Sequence, residues 1–324
     1  MRVLARTRDR LGRERATWLA GAAATLAIAI AVPVLSRPAD LHFWTETAVL
    51  ALYAMSVNLL LGYAGIPSFG QAAYFGIGAY AVGLLATRGF PLPLTVLAAT
   101  VVATVAAVIV IRLSVRASGL AFSMLTLAFA QALFTVTFRL DLVGGENGLV
   151  GLFPGTVLGL DLTRDPVALW LFVLALVALV LAGLRLLVVS PFGTMLQMMR
   201  DDERRAEFLG VPVARFRTAA FAIAGGIAGF AGALDAYVLG LVTPDHLFWT
   251  RSGEPIVMAI IGGMHHFLGP VVGTIVYLWT RDALSRLTVA WVLWIGLAFL
   301  VVVIAAPRGL LGLPATLRAW KRRR

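Results

Sequence analysis

Residues 190–241 have the sequence SPFGTMLQMMRDDERRAEFLGVPVARFR followed by TAAFAIAGGIAGFAGALDAYVLGL, two parts of opposite chemistry. The first part carries mixed charge, whereas the second is long and apolar enough to cross a bilayer. Within residues 195–209, apolar side chains recur at helical spacing with charged side chains between them. Gly210 and Pro212 follow at the point where such a helix would end. The pattern predicts a short amphipathic helix that leads into a membrane-spanning helix.

An amphipathic helix in this position has two interpretations. It can offer a docking site to a soluble partner, or it can lie against the lipid headgroups. Asp201 and Arg205 stand four residues apart, so the sequence also predicts an ion pair between them on one helix surface.

The composition indicates an integral membrane protein. Of the 324 residues, 60% are hydrophobic and only 13% are charged, which is far from the balance of a soluble domain. Cysteine is absent, so neither disulfides nor thiolate chemistry is expected. The net charge of +11 comes from basic residues that are scattered between apolar segments and gathered at both termini. Orientation in a membrane explains this distribution better than nucleic-acid binding does.

The sequence lacks the residues of an ATP-hydrolysing or other catalytic centre. Lys321 is its one lysine, and no glycine-rich loop precedes it. A P-loop needs a lysine after its glycines to reach the phosphates, so this chain cannot hydrolyse ATP through one. His265 and His266 are adjacent and point apart on regular structure, so we expect no metal site, which needs about four converging ligands. We therefore expect a protein that is not an enzyme.

Apolar segments of roughly 20 residues predict the membrane-spanning helices. The predicted spans are 16–35, 44–61, 70–87, 91–111, 118–138, 167–189, 217–241 and 287–305. The first follows an arginine-rich start, as a secretory signal would, but it is longer than the apolar region of an ordinary signal. We therefore expect a retained first span with a cytoplasmic N-terminus.

Segments 254–263 and 268–280 are also apolar, but glycines, histidines and a proline interrupt them. They form either one broken span or a re-entrant hairpin. The hairpin leaves more of the basic residues on the cytoplasmic side, as the positive-inside rule requires. On this topology residues 190–217 are a cytoplasmic loop, and residues 141–165 are the largest outer loop.

The predicted fold class is an all-α integral membrane protein with about 8 to 10 transmembrane helices, including a re-entrant or broken helical hairpin. Both termini are expected to be cytoplasmic. Residues 1–324 are expected to form a single membrane-spanning domain, because no linker or soluble segment interrupts them. Small residues at close spacing in the third and seventh spans predict tight helix packing; they are Gly76, Ala79, Gly83, Gly225, Gly229 and Ala233.

The segment YAGIPSFGQ at 63–71 breaks the apolar sequence between the second and third spans, with Asn58 just before it. Glycine and proline at membrane depth are tolerated where the freed backbone is buried in protein or lines a wet cavity. Transporters bind solutes at breaks of this kind. The alternative is a tight cytoplasmic turn, because the segment falls near the inner boundary.

Gln131 and Asp235 are the clearest polar residues inside the predicted spans. An intramembrane carboxylate indicates a functional role by default. Asp235 lies near the outer end of its span, so the alternative is that it is simply hydrated. In that case its replacement by asparagine would have little effect.

Four stretches together resemble the membrane permeases of ABC importers for branched-chain and other hydrophobic amino acids. They are NLLLGYAGIPSFGQAAYFGIGAY (58–80), GLAFSMLTLAFAQ (119–131) with GGENGL (144–149), RDDE (200–203) with AEFLG (206–210) and AGFAGA (228–233), and GGM (262–264) with GPVVG (269–273) and PRGLLG (307–312). The resemblance covers most of the chain in the family's order. The chain departs from the family pattern at residues 253–255 and at His265, which affects the expected shape of the hairpin and the choice of substrate.

This resemblance implies a multi-pass permease subunit of the bacterial cytoplasmic (inner) membrane. It implies a second homologous permease subunit, two cytoplasmic ATPase subunits that use ATP and Mg, and an extracytoplasmic solute-binding protein. The chain itself is expected to bind no cofactor and no nucleic acid, and to contact membrane lipid. Alternative functions are an ABC permease for urea, amides or another small solute, a passive channel, or an ion-coupled secondary transporter.

The resemblance also implies roles for particular residues. The expected ATPase-coupling residues are Arg200, Asp201, Asp202, Glu203, Arg204, Arg205, Glu207 and Gly210. The translocation pathway is expected to include Asn58, Ser68, Gln71 and Gln131. Glu146 and Asn147 are expected to contact the binding protein.

Overall fold

The structure, a computed structural model, describes residues 25–34, 37–114, 117, 119–157, 159–306 and 309–312. The predicted cytoplasmic N-terminus, the first part of the span predicted at 16–35 and the basic residues near the C-terminus lie outside the described residues. Most of the described chain is helical. The helices are α1 (Thr25–Val34), α2 (Pro38–Asn58), α3 (Gln71–Ala86), α4 (Leu92–Leu113), α5 (Gly119–Arg139), α6 (Pro166–Val189), α7 (Pro191–Asp201), α8 (Glu203–Phe208), α9 (Val213–Leu239), α10 (Thr250–Gly262), α11 (Gly269–Leu287) and α12 (Trp291–Ala305).

The seven predicted spans from 44–61 onward coincide with described helices, and their boundaries differ by up to six residues. Among the described residues, five helices are long and apolar enough to cross a membrane. They are Asp40–Tyr63, Leu92–Leu113, Gly119–Arg139, Pro166–Val189 and Val213–Leu239. Helices α1, α3 and α12 are apolar but shorter. The helical architecture is that of a multi-pass membrane protein, as the composition predicts.

Helices α2 and α9 form the centre of the fold. The apolar stretch of α2 is 83% buried and that of α9 is 78% buried, whereas the values are 39% for α4, 22% for α5 and 28% for α6. The three outer helices therefore present most of their apolar surface to the surroundings. A helix that is apolar on its outer face is suited to lipid or to a partner helix.

The two ends of the helices differ in character. At one end Leu149–Val150 (β1) pairs with Leu241–Val242 (β4), and Thr156–Val157 (β2) pairs with Leu160–Asp161 (β3). We call this the β end. Strands of two residues are too short to show alternation, so the sequence does not predict them. At the opposite end α6 leads into α7 and α8 and then into α9, and we call this the α7–α8 end.

Helices α10 and α11 form an antiparallel hairpin. Gly262 near the end of α10 packs on Gly269 at the start of α11, and Gly273 packs farther along on Met258. Between the helices, Gly263 adopts a φ of 110°, which a residue with a side chain rarely does. The chain therefore turns back here and does not continue as one broken span.

The hairpin turn lies at the α7–α8 end. The carbonyl oxygen of Met264 lies beside Gly62, at the end of α2, and the guanidinium of Arg185 lies 5.1 Å from the ring centre of Phe267. Gly309 packs on Gly263, so the last described residues return to the same end.

Glycines bring α3 and α9 into direct backbone contact. Gly78 lies against Gly229, and Gly232 lies against the carbonyl group of Phe75. The predicted small-residue sets also pack on neighbouring elements: Gly76 on Leu247, Gly83 on Leu149 and Val242, Gly225 on Ala107, and Gly229 on Ala103. Close packing between helices is confirmed for Gly225 and Gly229, which contact α4, whereas Gly76 and Gly83 pack on connecting segments.

We expect Gly232→Ala to lower the thermal stability of the detergent-solubilised protein. An added Cβ would come within 2.7 Å of the Phe75 carbonyl carbon, so α3 and α9 would have to separate. Gly183→Ala in α6 is the matched control, because no heavy atom lies within 4 Å of its added Cβ. The control should keep or gain stability, by roughly 0.5–1 kcal/mol from helix propensity. Equal melting temperatures for the two variants would show that the contact does not limit stability.

Candidate functional site

The chain between α2 and α3 is irregular and partly buried. Helix α2 continues as a π-helical turn, Leu59–Tyr63, and Gly65 then adopts a φ of 68°. Ala64, Ile66 and Ser68 are buried, whereas Gly65 and Phe69 are exposed. The segment is therefore a break between two helices that packs one of its sides into the fold.

Polar side chains from two other helices bind the freed backbone of this break. The Ser123 hydroxyl donates to the Pro67 carbonyl at 2.9 Å, and Thr126 Oγ1 accepts from the Phe69 amide at 3.2 Å. Both residues lie on α5. On α10, Ser252 Oγ accepts from the Ala72 amide at 2.8 Å. These bonds supply partners that buried backbone groups require and fix residues 67–72 to α5 and α10.

A small cavity lies beside the break. Its volume is about 10 Å³, which is room for about one water molecule. Its walls combine apolar and polar side chains: Val57, Leu60, Leu61, Ser68, Gln71 and Ile256. Two of the four predicted pathway residues, Ser68 and Gln71, therefore meet at one cavity.

Two buried amides flank the break. The side chains of Asn58 and Gln71 are 0% exposed, and within the described part of the chain neither has a hydrogen-bond partner. Asn58 Oδ1 is directed at Gly62. An unpaired buried polar group costs roughly 1–3 kcal/mol, so such groups indicate a place where water or a ligand completes the bonding.

Gln131 does not join this group. It lies on α5 and is not among the side chains that line the cavity, although its Oε1 is buried without a partner among the described residues. Its neighbour Thr126, by contrast, bonds directly to the break.

The predicted amphipathic helix at 195–209 is two helices instead of one. Asp202 has φ −161° and ψ 100°, which is extended backbone, and it separates α7 from α8. Its carboxylate accepts the Arg205 amide at 3.0 Å and so acts as the N-cap of α8. Because of this break the predicted pair between Asp201 and Arg205 is wrong. Arg205 instead lies 3.6 Å from Asp202, and Asp201 lies 2.9 Å from Arg200.

Helix α8 ends as the sequence predicts. Gly210 has a φ of 82° and its amide bonds to the Glu207 carbonyl, while the Val211 amide bonds to the Ala206 carbonyl. This is the Schellman pattern, in which glycine adopts the left-handed position. Ala206 packs with Met199 and Val213 in a small cluster that holds α8 against α7 and α9.

The outer surface of α7 and α8 is charged and has an exposed apolar tip. Phe208 is 91% exposed and Leu209 is 68% exposed. Most of the predicted coupling residues are exposed around this tip: Asp201, Asp202, Glu203, Arg204, Arg205, Glu207 and Gly210. Arg200 differs from them, because its side chain is directed inward and donates to the Gly62 carbonyl at 2.7 Å. Glu203 pairs with Arg217 of α9 at 3.1 Å.

Glu146 and Asn147 lie at the opposite end of the molecule. Both are exposed on the 3₁₀ turn Gly145–Asn147, next to β1 at the β end. The structure thus separates the residues predicted to contact a binding protein from those predicted to contact an ATPase.

A buried carboxylate and imidazole form a site that the sequence analysis missed. Asp235 on α9 is 1% exposed and His246 is 2% exposed, so the interpretation that Asp235 is hydrated is wrong. Nε2 of His246 lies 3.3 Å from Oδ2 of Asp235, although neither atom makes a hydrogen bond of good geometry within the described chain. The ring stacks on Phe75 at 6.0 Å, and its Nδ1 lies 3.0 Å from the Thr243 carbonyl oxygen.

This pair holds the 3₁₀ turn Pro244–Leu247, which precedes α10, against the core. Farther along, Arg251 pairs with Glu254 at 3.3 Å, and the Tyr53 hydroxyl of α2 donates to the Arg251 carbonyl at 3.0 Å. The sequence contains both polar residues of this pair, Asp235 before Gly240 and His246 after it. Only the reversal of the chain at Gly240, with a φ of 70°, brings the two together.

We expect Asp235→Ala to destabilise the folded protein by about 1–3 kcal/mol, because it leaves a buried imidazole without its partner. The matched control is Asp282→Ala, since the Asp282 side chain is 48% exposed and pairs with Arg286 on the surface of α11. Exposed pairs contribute about 0–1 kcal/mol, so the control should unfold near the wild-type temperature. Thermal unfolding in detergent, followed by size-exclusion recovery, measures both. Identical recovery curves would mean that the Asp235–His246 contact adds nothing to stability.

Comparison with known proteins identifies the family of this chain. Residues 41–306 match the family described as branched-chain amino acid transport system, permease component. The high-affinity branched-chain amino acid transport system permease proteins LivM of Salmonella typhimurium and of Escherichia coli are each 26% identical over 316 residues, with 89% of this chain and 73% of each relative covered. No solved structure matches the chain. The chain belongs to the family of permease components of branched-chain amino acid transport systems.

Proposed function

We propose that this chain is the membrane permease subunit of an ATP-driven importer for branched-chain or other hydrophobic amino acids. The observation that carries the proposal is the α7–α8 unit. It is a charged helix pair with an exposed apolar tip, and it sits between two long apolar helices of a transport-permease family member. A surface of this kind is suited to a groove on a soluble partner.

The proposed topology places the α7–α8 end in the cytoplasm and the β end outside. Arg185, Arg200, Arg204, Arg205, Arg215 and Arg217 gather at or near the α7–α8 end, in line with the positive-inside rule. In this topology residues 1–324 form one permease domain of about 8 to 10 transmembrane helices with both termini inside. Residues 190–217 are then the cytoplasmic coupling loop, and the membrane is the bacterial inner membrane.

The proposed energy source is a pair of cytoplasmic ATPases that dock on α7 and α8. ATP and Mg bind to those subunits, and this chain binds no cofactor. Phe208 and Leu209 would enter a groove of the ATPase, and Arg204, Arg205 and Glu207 would pair around its rim. Protein interfaces usually have apolar residues at the centre, which contribute most of the binding energy, and charged or polar residues at the rim.

The proposed pathway passes the cavity at the break between α2 and α3. Val57, Leu60 and Ile256 offer an apolar wall, and Ser68 and Gln71 offer hydrogen bonds. Such a surface is suited to a solute with an apolar side chain and a polar backbone. At about 10 Å³ the cavity is too small for an amino acid, so passage requires its walls to separate. Asn58 of α2 and Gln131 of α5 are also proposed to line the pathway. Helix α5 is mostly exposed, so it is proposed to face a second permease.

An extracytoplasmic binding protein would deliver the solute at the β end, where Glu146 and Asn147 are exposed. Urea and small amides are alternative solutes for the same machinery. The second candidate function is an ion-coupled secondary transporter, and the buried Asp235–His246 contact is the observation that favours it, because buried ionisable pairs carry protons in such proteins. Uptake into liposomes driven by ATP, or by a proton gradient without ATP, separates the two.

The first experiment is co-purification of the tagged chain from its native membrane, with partners identified by mass spectrometry. Two ATPases and a second permease are the expected partners. Recovery of the chain alone would contradict the proposal and leave the ion-coupled transporter as the better account.

The double charge reversal Arg204→Glu and Arg205→Glu should lower ATPase recovery about tenfold or more and abolish uptake, because rim charges would then repel their partners. Membrane insertion should stay normal, since the Arg205 side chain is 75% exposed and both residues lie outside the spans. Arg164→Glu is the matched control, because its side chain is 89% exposed at the β end. Wild-type uptake by the double variant would rule out this docking surface.

Because the chain has no cysteine, Ser68→Cys gives a single reporter at the cavity. The thiol should react with a charged methanethiosulfonate reagent during transport and far less at rest, since Ser68 is 4% exposed. Ser56→Cys in α2 is the control: Ser56 is 0% exposed and bonds to its own helix, so its thiol should stay unreactive. Equal reaction of the Ser68→Cys protein with and without ATP would contradict a pathway through this cavity.

A further inference from the structure

We infer that Arg200 is a positioning residue that links α7 to the break between α2 and α3, and that it is not an ATPase contact. This inference rests on the proposed function and concerns how motion of α7 reaches the pathway. It separates Arg200 from the other charged residues of α7 and α8, which face outward.

The guanidinium of Arg200 is fixed on two sides. Nη1 donates to the Gly62 carbonyl at 2.7 Å, while Nε and Nη2 donate to Asp201 Oδ1 at 3.1 and 2.9 Å. The side chain is only 28% exposed, whereas that of Asp201 is 70% exposed. A charge-assisted bond of this length is among the stronger hydrogen bonds in proteins. Lysine has a single nitrogen and cannot hold both partners in this geometry.

Gly62 needs an external donor because of its position in the helix. It lies in the last turn of the π-helical segment Leu59–Tyr63, where carbonyls lack partners within the helix. The carbonyls of Leu59 and Leu60 are bound by the amides of Ala64 and Ile66. For Gly62 the donor comes from Arg200, which is 138 residues away in sequence.

A second contact lies three residues farther along the break. A Cβ on Gly65 would meet Arg200 Cγ at 2.7 Å and Cα at 3.0 Å, so the loop backbone rests directly on the arginine. Gly65 also has a φ of 68°, which disfavours a side chain. Arg200 therefore touches the break at both Gly62 and Gly65, through a hydrogen bond and through packing.

The contact is next to the cavity. Leu60 and Leu61 line it and directly precede Gly62, and Ser68 lines it three residues after Gly65. A shift of α7 relative to the spanning helices would act first on the segment 62–65. Residues that line the cavity lie directly before this segment, at Leu60 and Leu61, and after it, at Ser68. A displacement of residues 62–65 therefore moves the walls of the cavity directly.

The experiment uses the complete transporter, with its ATPases, second permease and binding protein, in liposomes. ATP hydrolysis and solute uptake are measured together for wild type, Arg200→Gln, Arg200→Lys and a control, Arg286→Gln. Arg286 is the control because its side chain is 76% exposed and pairs with Asp282 on the surface of α11. The readout is the number of solute molecules imported per ATP hydrolysed, which a purely structural defect would not change in the surviving protein.

We expect Arg200→Gln to import about tenfold less solute per ATP, a size typical of coupling between sites. ATPase recovery should equal that of wild type, in contrast to the Arg204 and Arg205 double reversal. The import ratio of Arg200→Lys should lie between those of wild type and Arg200→Gln, because lysine keeps the positive charge but can make only one of the two hydrogen bonds. Arg286→Gln should match wild type.

Gly65→Ala changes the same contact from the side of the loop. It serves as the deciding test if the Arg200→Gln protein does not insert into the membrane. It should lower the import ratio in the same way, because its Cβ displaces Arg200. A wild-type ratio in Arg200→Gln, or in Gly65→Ala when the first variant is lost, overturns the inference. Loss of ATPase recovery in Arg200→Gln would also overturn it, by making Arg200 an ATPase contact. Absence of ATPases from wild-type preparations would refute the proposed function instead, so the two failures are distinct.

Discussion

Backbone that leaves a helix inside an apolar interior must find hydrogen-bond partners, and the arrangement of this protein follows from that constraint. Between α2 and α3 the partners come from three other helices. Ser123 and Thr126 lie on α5, Ser252 lies on α10, and Arg200 lies on α7. Each of these helices approaches the same ten or so residues, and glycines in the break permit two of these approaches: Gly70 packs on Thr126 of α5, and Gly65 packs on Arg200 of α7.

Much of the fold could be predicted from the sequence because the signals are local. A long apolar stretch has few alternatives to a spanning helix, and glycine after an amphipathic pattern ends a helix, as Gly210 does. The charge distribution also favoured a hairpin at 254–280, and the chain does turn back there. Strands such as β1 and β4 could not be predicted, because two residues carry no period.

The functional site was less predictable because its contacts join distant parts of the chain. Residues 195–209 have one continuous helical pattern, yet the carboxylate of Asp202 caps a new helix and interrupts it. Arg200 looks like its charged neighbours in sequence, and only the proximity of Gly62 turns it inward. The position of Asp235 near a span end leaves hydration open as an alternative to a functional role, whereas the returning chain supplies His246 as its neighbour. For Arg200 and Asp235 the partner comes from a distant part of the chain, whereas the cap at Asp202 is a local contact that the continuous helical pattern does not reveal.

The cavity lies between two separately anchored groups of residues. Ser68 and Gln71 belong to the stretch that α5 and α10 hold, while Leu60 and Leu61 belong to the stretch that Arg200 holds from α7. The first group is tied to helices whose bonding side chains are buried, and the second is tied to a helix with a water-exposed face. Helix α7 joins α6 through a tight turn and α8 through the cap at Asp202, so it is the element that connects the charged outer surface to the break. A relative movement of the two groups would change the width of the cavity, so a force on α7 would act on the proposed pathway.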